Sequence, residues 1–414
     1  MKPVTLVVAG AGGRGAIYAS FAKHFPERAR VVGVAEPREV LRQRMIETHG
    51  IPAGGVFASW EELAAKPRMA DAVIVATQDA MHEAPTVALA AKGYHILLEK
   101  PMAPTEAACQ RIVNAVRKAG VIFAVCHVMR YTQYTRMLKR ELDSGRIGEI
   151  VSIQHLEPVG YWHQAHSFVR GNWRNEAESS FMLLAKSCHD MDWLRYIMGR
   201  RCVSVSSFGA LTHFRPECRP AGAADRCLDC GVEAQCPYSA KRIYLGRFEK
   251  GQTAWPVANL APVITRESLM EALRNGPYGR CVYACDNDVV DHQVVNILFE
   301  GARTASFTMT GLTESTGRRT RIFGTRGEIN AQGGQIRVYD FLTDTAEMID
   351  TTKDDGSVLT GHGGGDAGVM DCFVRAVAEN NPSHIISGPD ETLESHRMVF
   401  AAEKARRENR VVNL

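Results

Sequence analysis

The chain has 414 residues, 45% of them hydrophobic, and a formal net charge of +3. This length predicts two or three domains with a large core, and the nearly balanced charge indicates neither nucleic acid nor a membrane surface as partner. No stretch approaches the ~20 apolar residues of a membrane span. The first residues lead directly into a strand without an apolar signal region, so we expect a cytoplasmic protein whose eleven cysteines are thiols or metal ligands.

The first predicted strand leads into a glycine-rich loop. Residues 4–9 are apolar and largely β-branched, residues 10–15 read G-A-G-G-R-G, and residues 16–22 predict a helix. A G-x-G-x-x-G sequence between a strand and a helix is typical of a dinucleotide-binding unit, because the glycines allow a tight turn and close approach to a pyrophosphate. The helix N-terminus adds free N–H groups for the phosphates. The predicted cofactor-binding residues of this loop are Gly10, Gly12, Gly13, Arg14 and Gly15.

Residues 30–35 predict a second strand, and Glu36 follows it directly. A carboxylate at this distance from the glycines suits the ribose hydroxyls of NAD and repels the 2′-phosphate of NADP. We therefore expect NAD as the cofactor, with NADP the less favoured alternative. Arg38 keeps that alternative open, because a nearby guanidinium could accept the phosphate.

Strands and helices alternate up to residue 125, which predicts a doubly wound parallel sheet. Later strands are expected at 71–76, 95–98 and 121–125, with helices at 38–49, 59–65, 81–92 and 105–119. Ligands bind outside the carboxyl ends of the strands in such sheets. Thr77, Gln78, Glu99, Lys100 and His127 follow strand ends and are candidates for that reason. We divide the chain into a dinucleotide-binding domain, 1–125, and a substrate and oligomerisation domain, 126–414.

Glu99-Lys100-Pro101 after a Rossmann strand resembles the signature of the Gfo/Idh/MocA family of sugar oxidoreductases, and Thr77 with His82 is similar to the family's threonine and histidine. The resemblance implies a C-terminal α/β domain with a large, open, mostly antiparallel sheet that faces the cofactor. It also implies a homo-oligomer, dimer or tetramer, formed through that sheet. Strand candidates in the second half lie at 151–159, 203–210, 289–299, 302–310, 319–323 and 335–341.

A second family signature is a helix with Asp-x-x-x-His, and residues 179–192 resemble it. His189 and Asp192 match, but Ala185 stands where the family has Asp, and Lys186 follows it. The resemblance places Lys100 and His189 beside the nicotinamide and the sugar. We expect His189 as the base and Lys100 to polarise the hydroxyl, with Lys186 as a third candidate. Lys186 as base with His189 as orienting group stays open.

The predicted reaction is NAD-dependent hydride transfer from a secondary hydroxyl of a sugar, glycoside or cyclitol. The alternative is a redox-neutral glycosidase or lyase that oxidises the sugar transiently and then eliminates a substituent. Residues 160–174 are rich in Trp, His and Arg, which suits a sugar site but also an anchored surface loop. Candidate substrate-binding residues are His127, Arg130, Tyr131, Trp162, His163, His166, Arg170, Trp173, Asp192 and His292. The glycine-rich residues 361–366 are expected to form a loop that covers the substrate.

A cysteine-rich insert at about 211–285 interrupts the second sheet. Cys218, Cys227, Cys230 and Cys236 are four thiols within nineteen residues. Four such ligands can close a tetrahedral structural zinc site, and an iron–sulfur cluster is the alternative because Cys236-Pro237 is similar to a ferredoxin spacing. Cys281 and Cys285 are expected to be separate from this site.

Overall fold

The computed structural model describes residues 2–352 and 361–414. Its first sheet has six strands in the order β3-β2-β1-β4-β5-β6, and all neighbours are parallel. These strands are β1 (Val4–Ala9), β2 (Ala29–Ala35), β3 (Val56–Phe57), β4 (Ala72–Val75), β5 (His95–Leu98) and β6 (Phe123–Val125). The predicted doubly wound parallel sheet is confirmed.

Helices cover both faces of this sheet. They are α1 (Gly13–His24), α2 (Glu39–His49), α3 (Trp60–Ala65), α4 (Glu83–Ala91) and α5 (Glu106–Ala119). Side chains of β1 alternate between the two layers: Leu6 and Val8 pack in one apolar cluster, and Val7 and Ala9 pack in the other. Because both faces of the sheet are buried, its strands are mostly apolar, as is usual for parallel strands.

The second sheet has nine strands in the order β14-β13-β12-β11-β7-β10-β9-β8-β15. Only β7 and β10 run parallel, so the expected large, mostly antiparallel sheet is confirmed. Its strands are β7 (Ile150–Pro158), β8 (Cys202–Ala210), β9 (His292–Phe299), β10 (Arg303–Thr310), β11 (Arg319–Gly324), β12 (Gly327–Gln332), β13 (Gln335–Asp340), β14 (Thr345–Asp350) and β15 (Val412–Asn413). The sequence does not predict β12 and β14, because β12 contains Gly, Asn and Gln and most of β14 is exposed.

Helices pack on one face of this sheet and enclose a second core around the buried Trp193. They are α6 (Gln133–Asp143), α8 (Met182–Ala185), α9 (Cys188–Met198) and α13 (Pro389–Glu408). Helix α12 (Gly365–Glu379) packs with α1 on the Rossmann sheet instead. The short helices α7 (Tyr161–His163), α10 (Gly246–Phe248) and α11 (Arg266–Asn275) pack in the apolar cluster of the insert. A π-helical turn, Gln164–Arg170, continues α7. Among the described residues, no helix is both long and apolar enough to cross a bilayer.

The predicted insert lies between β8 and β9 and consists mainly of turns and short helices. It has its own apolar cluster, which includes Phe214, Tyr244 and Leu269 together with Ala165 and Val169 of the π-helical turn. The insert therefore packs directly onto the segment that the sequence proposes as substrate-binding.

Candidate active site

The loop between β1 and α1 is closely packed at two of its glycines and open at a third. Gly10 has φ +92°, and a Cβ there would lie 2.4 Å from the carbonyl oxygen of Ala76. A Cβ on Gly15 would lie 2.0 Å from the carbonyl oxygen of Gly10, so both positions require glycine. A Cβ on Gly13, by contrast, would meet no atom within 4 Å. The start of α1 therefore borders open space at Gly13, and a helix N-terminus beside open space fits a dinucleotide pyrophosphate.

Glu36 is 1% exposed at the end of β2. Its carboxylate accepts hydrogen bonds from the Ala11 N–H at 2.7 Å, the Arg38 N–H at 3.0 Å and the Arg38 Nε at 2.7 Å. Burial alone would raise the pKa of Glu36, but these hydrogen bonds hold it below its usual range. An ionised carboxylate thus lies against the loop where an adenosine ribose is expected, and the exposed Arg38 side chain is fixed beside it.

Arg14 connects the loop to two distant parts of the chain. Its Nε donates to Oε1 of Glu99 at 2.6 Å, and Nη2 donates to Oδ1 of Asp366 at 2.5 Å and to the Tyr18 hydroxyl. Burial favours the neutral form of Glu99, yet Arg14 and Lys100 keep its pKa below the usual range. Residues 361–364 form a 3₁₀ turn and Gly365 begins α12, so the glycine-rich segment is helical rather than the expected loop. The side chains of residues 361 and 362 lie outside the described part.

His82 joins two strand ends. Its Nδ1 lies 2.8 Å from the Pro101 carbonyl oxygen and its Nε2 lies 3.1 Å from the Thr77 carbonyl oxygen. The ring is 1% exposed, whereas Gln78 is exposed. His82 therefore holds the Thr77 turn against the turn that carries Lys100.

The structure brings Lys100 to the second signature segment. Lys100 Nζ donates to the carbonyl oxygen of Ala185 at 3.0 Å. Lys186, the next residue, pairs with Oε1 of Glu157 at 3.0 Å, and His189 is the second residue of α9. At Ala185 the main-chain carbonyl holds the lysine, although the position lacks the carboxylate of the family signature. Burial and the charges of Lys186, His166 and Lys100 place the pKa of His163 well below its usual range.

A buried ionic network lies behind Lys186, and sequence analysis missed it. Arg318 Nε lies 2.9 Å from Oε2 of Glu157 and 2.5 Å from Oδ1 of Asp190. His155 Nε2 is 3.0 Å from the same Asp190 oxygen. His155 and Glu157 alternate on the buried face of β7, a pattern that could have revealed them. The network fixes Glu157 and thereby the position of the Lys186 ammonium.

His127, Arg130 and Asp192 form a second buried group. Arg130 Nε and Nη2 donate to the two Asp192 oxygens, both at 2.7 Å, in a bidentate pair. His127 Nε2 lies 3.7 Å from Asp192 Oδ1, and the ring centroids of His127 and His189 are 6.0 Å apart. Burial lowers the pKa of His127 to about 3 despite the nearby Asp192. Arg130 and Asp192 are thus bonded within the protein, and Tyr131 is too, through the Ser387 hydroxyl at 2.8 Å.

Aromatic side chains form one wall near the lysines. The Trp255 ring, from the insert, packs 4.8 Å from His163 and 5.0 Å from Trp162, and it is 47% exposed. Trp173 Nε1 donates to Oδ2 of Asp79 at 3.3 Å, and burial raises the pKa of Asp79. Sequence analysis missed Trp255 because it lies about 90 residues after the Trp162 segment, within the insert.

The side chains of His166 and Arg170 pack into the insert. His166 stacks on Tyr278 at 4.8 Å, and its Nδ1 lies 2.9 Å from the Tyr244 hydroxyl. Arg170 is 1% exposed and donates to the Arg280 and Tyr238 carbonyl oxygens. Both side chains belong to the core of the insert. His292, at the start of β9, has Nδ1 2.9 Å from Asp291 Oδ1 and is half-exposed.

The four-thiol zinc site is not supported by the structure. Within residues 2–352 and 361–414, no three His, Cys, Asp or Glu side chains are placed to hold one metal ion. Cys227, Cys230 and Cys236 do line one cavity, but Cys281 lines it with them and Cys218 does not. Cys281, which the sequence places apart, lies beside these thiols because the chain returns to the cavity at the end of the insert, and Cys218 and Cys285 pack against the same apolar cluster.

A Rossmann domain joined to an open antiparallel sheet, with a lysine where the two meet, defines an NAD-binding oxidoreductase fold. Sequence models of two domains match almost the whole chain: the oxidoreductase family NAD-binding Rossmann fold over residues 4–127, and the oxidoreductase family C-terminal alpha/beta domain over residues 139–414. The chain therefore belongs to the Gfo/Idh/MocA oxidoreductase family.

Individual relatives are more distant. YteT of Bacillus subtilis (strain 168), named as an oxidoreductase, is 26% identical over 312 residues, which cover 72% of this chain and 70% of YteT. The 2,7-anhydro-N-acetylneuraminate hydratase of Escherichia coli (strain K12) is 32% identical over 150 residues, 36% of this chain and 39% of the hydratase. An Agrobacterium radiobacter oxidoreductase solved with NAD+, L-tartaric acid and magnesium shares the fold with a TM-score of 0.72 at 13% identity, covering 100% of this chain and 98% of that one.

Proposed function

We propose that this protein transfers a hydride between a secondary hydroxyl of a sugar, glycoside or cyclitol and NAD. The observation that carries the proposal is the Lys100 side chain. Lys100 follows Glu99, which is bonded to the dinucleotide loop through Arg14, and its Nζ reaches Ala185 in the segment that carries Lys186 and His189. One side chain thus links the dinucleotide-binding domain, 1–125, to the substrate domain, 126–414.

The residues that would hold NAD are the loop 10–15 and Glu36, and bound NAD supplies the hydride acceptor. The open space at Gly13 supports binding of a dinucleotide, and the ionised Glu36 supports NAD rather than NADP.

In the proposed reaction, His189 takes the hydroxyl proton and Lys100 donates a hydrogen bond to the substrate oxygen, which stabilises negative charge on it. Glu157 fixes the Lys186 ammonium through a 3.0 Å ion pair. Lys186 is a cation where the signature has a carboxylate nearby, so we assign to it the stabilisation of negative charge on the substrate oxygen. The exposed Trp255 and Trp173 rings offer flat apolar faces for a sugar ring.

A screen of sugars, glycosides and cyclitols with purified protein and NAD tests the proposal. NADH that accumulates in proportion to oxidised product supports it. The second candidate is redox-neutral elimination or hydration, which the hydratase relative favours. Product without net NADH, in protein that keeps its NAD through dialysis, would support that candidate instead.

We also propose a homo-oligomer formed through the second sheet. Val203 and Phe208 of β8 and Val294 and Leu298 of β9 are exposed on the face opposite the core. Mass measurement by light scattering tests this, and Phe208→Asp should weaken the assembly.

A cytoplasmic location stays a proposal, supported by the free thiols of the described chain. Metal binding by the insert is likewise proposed, with support from its clustered thiols.

A further inference from the structure

A row of aromatic rings leads from the turn after β4 to the insert. Trp173 Nε1 donates to Oδ2 of Asp79 at 3.3 Å, which places this ring at the carboxyl end of the Rossmann sheet. The ring centroids of Trp173 and Phe168 are 6.3 Å apart, and those of Phe168 and His163 are 5.8 Å apart. His163 in turn lies 4.8 Å from Trp255 of the insert. The row therefore begins at the sheet edge where NAD is proposed to bind and ends in the insert.

The exposed rings of this row stand at its two ends. Trp173 is 36% exposed and Trp255 is 47% exposed, whereas Phe168 is buried and His163 is half-buried. Single exposed apolar side chains are normal on a protein surface, but several in one row beside a candidate active site mark a ligand-binding groove. The two indole rings are thus two open faces of one groove.

Neighbouring side chains hold the Trp255 ring in place. Trp162 packs 5.0 Å from it at 54°, and His166 packs 5.6 Å from it at 85°. The Arg247 guanidinium lies 4.0 Å from the Trp162 ring centroid and supports that ring in turn. Val257, two residues after Trp255, is fully buried in the core of the insert. A ring that is fixed before a ligand arrives loses little conformational entropy on binding.

The row is longer than a single sugar ring. A pyranose that stacks on an aromatic side chain covers about one ring face. A sugar on Trp173 therefore leaves Trp255 uncovered, because the Phe168 and His163 rings lie between the two. A second ring that is linked to the first sugar reaches along the groove to Trp255, and its apolar face suits an indole.

We propose that the substrate is a glycoside with two linked rings. The ring to be oxidised stacks on Trp173, and the second ring, a sugar or an aromatic aglycone, stacks on Trp255. This order follows from His82, which joins the turn that precedes Asp79 to the turn that carries Lys100. The assignment rests on the proposed function, because it takes the Lys100 end of the groove as the place of hydride transfer. It gives the insert the role of selecting the substrate.

Matched ligands with one and two rings test the proposal. The methyl glycoside, the phenyl glycoside and a disaccharide of glucose, galactose and mannose are titrated calorimetrically into the full-length protein with NAD present. We expect a phenyl glycoside or a disaccharide to bind about three- to tenfold more tightly than the methyl glycoside of the same sugar, the range for one aromatic contact. Which of the two binds more tightly distinguishes an aryl aglycone from a second sugar. A panel in which no two-ring ligand binds more tightly than its methyl counterpart would overturn the proposal.

Substitutions at the two ends of the row should have different effects. Trp255→Ala should abolish the preference for the two-ring ligand, and Trp255→Phe should restore most of it, which separates loss of the ring face from a folding defect. Trp173→Ala should weaken both ligands by the same factor and keep their ratio. Phe341→Ala, at an exposed ring between β13 and β14, is the matched control and should change neither affinity. A preference that survives in Trp255→Ala would refute the role of the insert.

NADH measured in the same mixtures separates this proposal from the proposed reaction. A preference for two rings without NADH would contradict hydride transfer and leave the Trp255 site supported. NADH formation with equal kcat/KM for one-ring and two-ring substrates would support hydride transfer and overturn the two-ring substrate.

Discussion

Replacing Lys186 with methionine separates a catalytic role from a structural one. Methionine keeps the apolar stem and removes the ammonium that pairs with Glu157 at 3.0 Å. Glu157 does not become an orphaned charge, because Arg318 still lies 2.9 Å from its other oxygen. We therefore expect a loss of only about 1 kcal/mol in the free energy of unfolding, the scale of a pair that is not fully buried.

The expected loss of activity is much larger. If Lys186 stabilises negative charge on the substrate oxygen, turnover should fall by about 10²-fold, which corresponds to roughly 2.7 kcal/mol of transition-state stabilisation. The Lys186→Met/His189→Ala double variant should be about as slow as the slower single variant, because the two groups act on one proton. Steady-state kinetics and urea unfolding measure both quantities. Lys139→Met, at a partly exposed lysine that pairs with Asp143, is the matched control. Near-normal turnover in Lys186→Met would refute the assignment.

Three further predictions concern the cofactor loop and the buried network. The dissociation constant for NADP should exceed that for NAD by at least ~tenfold, and Glu36→Gln should narrow the ratio, since an ionised carboxylate at the end of β2 would repel a 2′-phosphate. Equal constants for the wild type would indicate Arg38 as a phosphate ligand. Gly10→Ala should abolish NAD binding, because its Cβ would lie 2.4 Å from the Ala76 carbonyl oxygen. Calorimetric titration with NAD measures this loss, and Gly13→Ala is the control because a Cβ at Gly13 meets no atom within 4 Å. Burial favours protonated Asp190, but Arg318 and His155 hold its pKa below the usual range. The stabilisation of the fold by ionised Asp190 is therefore complete above about pH 4–5 and is lost as the pH falls toward the pKa of the folded state. The free energy of unfolding in urea should therefore change less between pH 6 and pH 3 in Asp190→Asn than in the wild type.

Local patterns in the sequence predict most of the fold. The strand before Gly10, the carboxylate at Glu36 and the alternation of strands and helices all lie within short windows. The predicted elements of the first domain appear close to their expected bounds, and only the two-residue strand β3 is not predicted there. The strands β12 and β14 escape such analysis because pairing with neighbours, rather than apolar periodicity, maintains them.

The site is harder to predict because its contacts join distant residues. Asp366 binds Arg14 across 352 positions, and Arg318 binds Asp190 across 128. No local signal in the sequence links such pairs. The stretch 160–174 shows the opposite difficulty. Its residue types suit a sugar site, but its helical turns pack His163 against the exposed Trp255 ring and direct His166 and Arg170 into the core of the insert. The residue types mark this segment as a candidate site, but only the folded structure shows which of its side chains are buried in the insert.

The central claim is that Lys100 and His189 promote hydride transfer to NAD. Its most direct test is single-turnover formation of NADH with the best substrate from the screen, in wild type, Lys100→Ala and His189→Ala. We predict that each variant forms NADH ~10²–10⁴-fold more slowly, while the NAD dissociation constant stays close to that of the wild type. NADH formation at the wild-type rate in either variant, or product formation by the wild type without any NADH, would contradict the account.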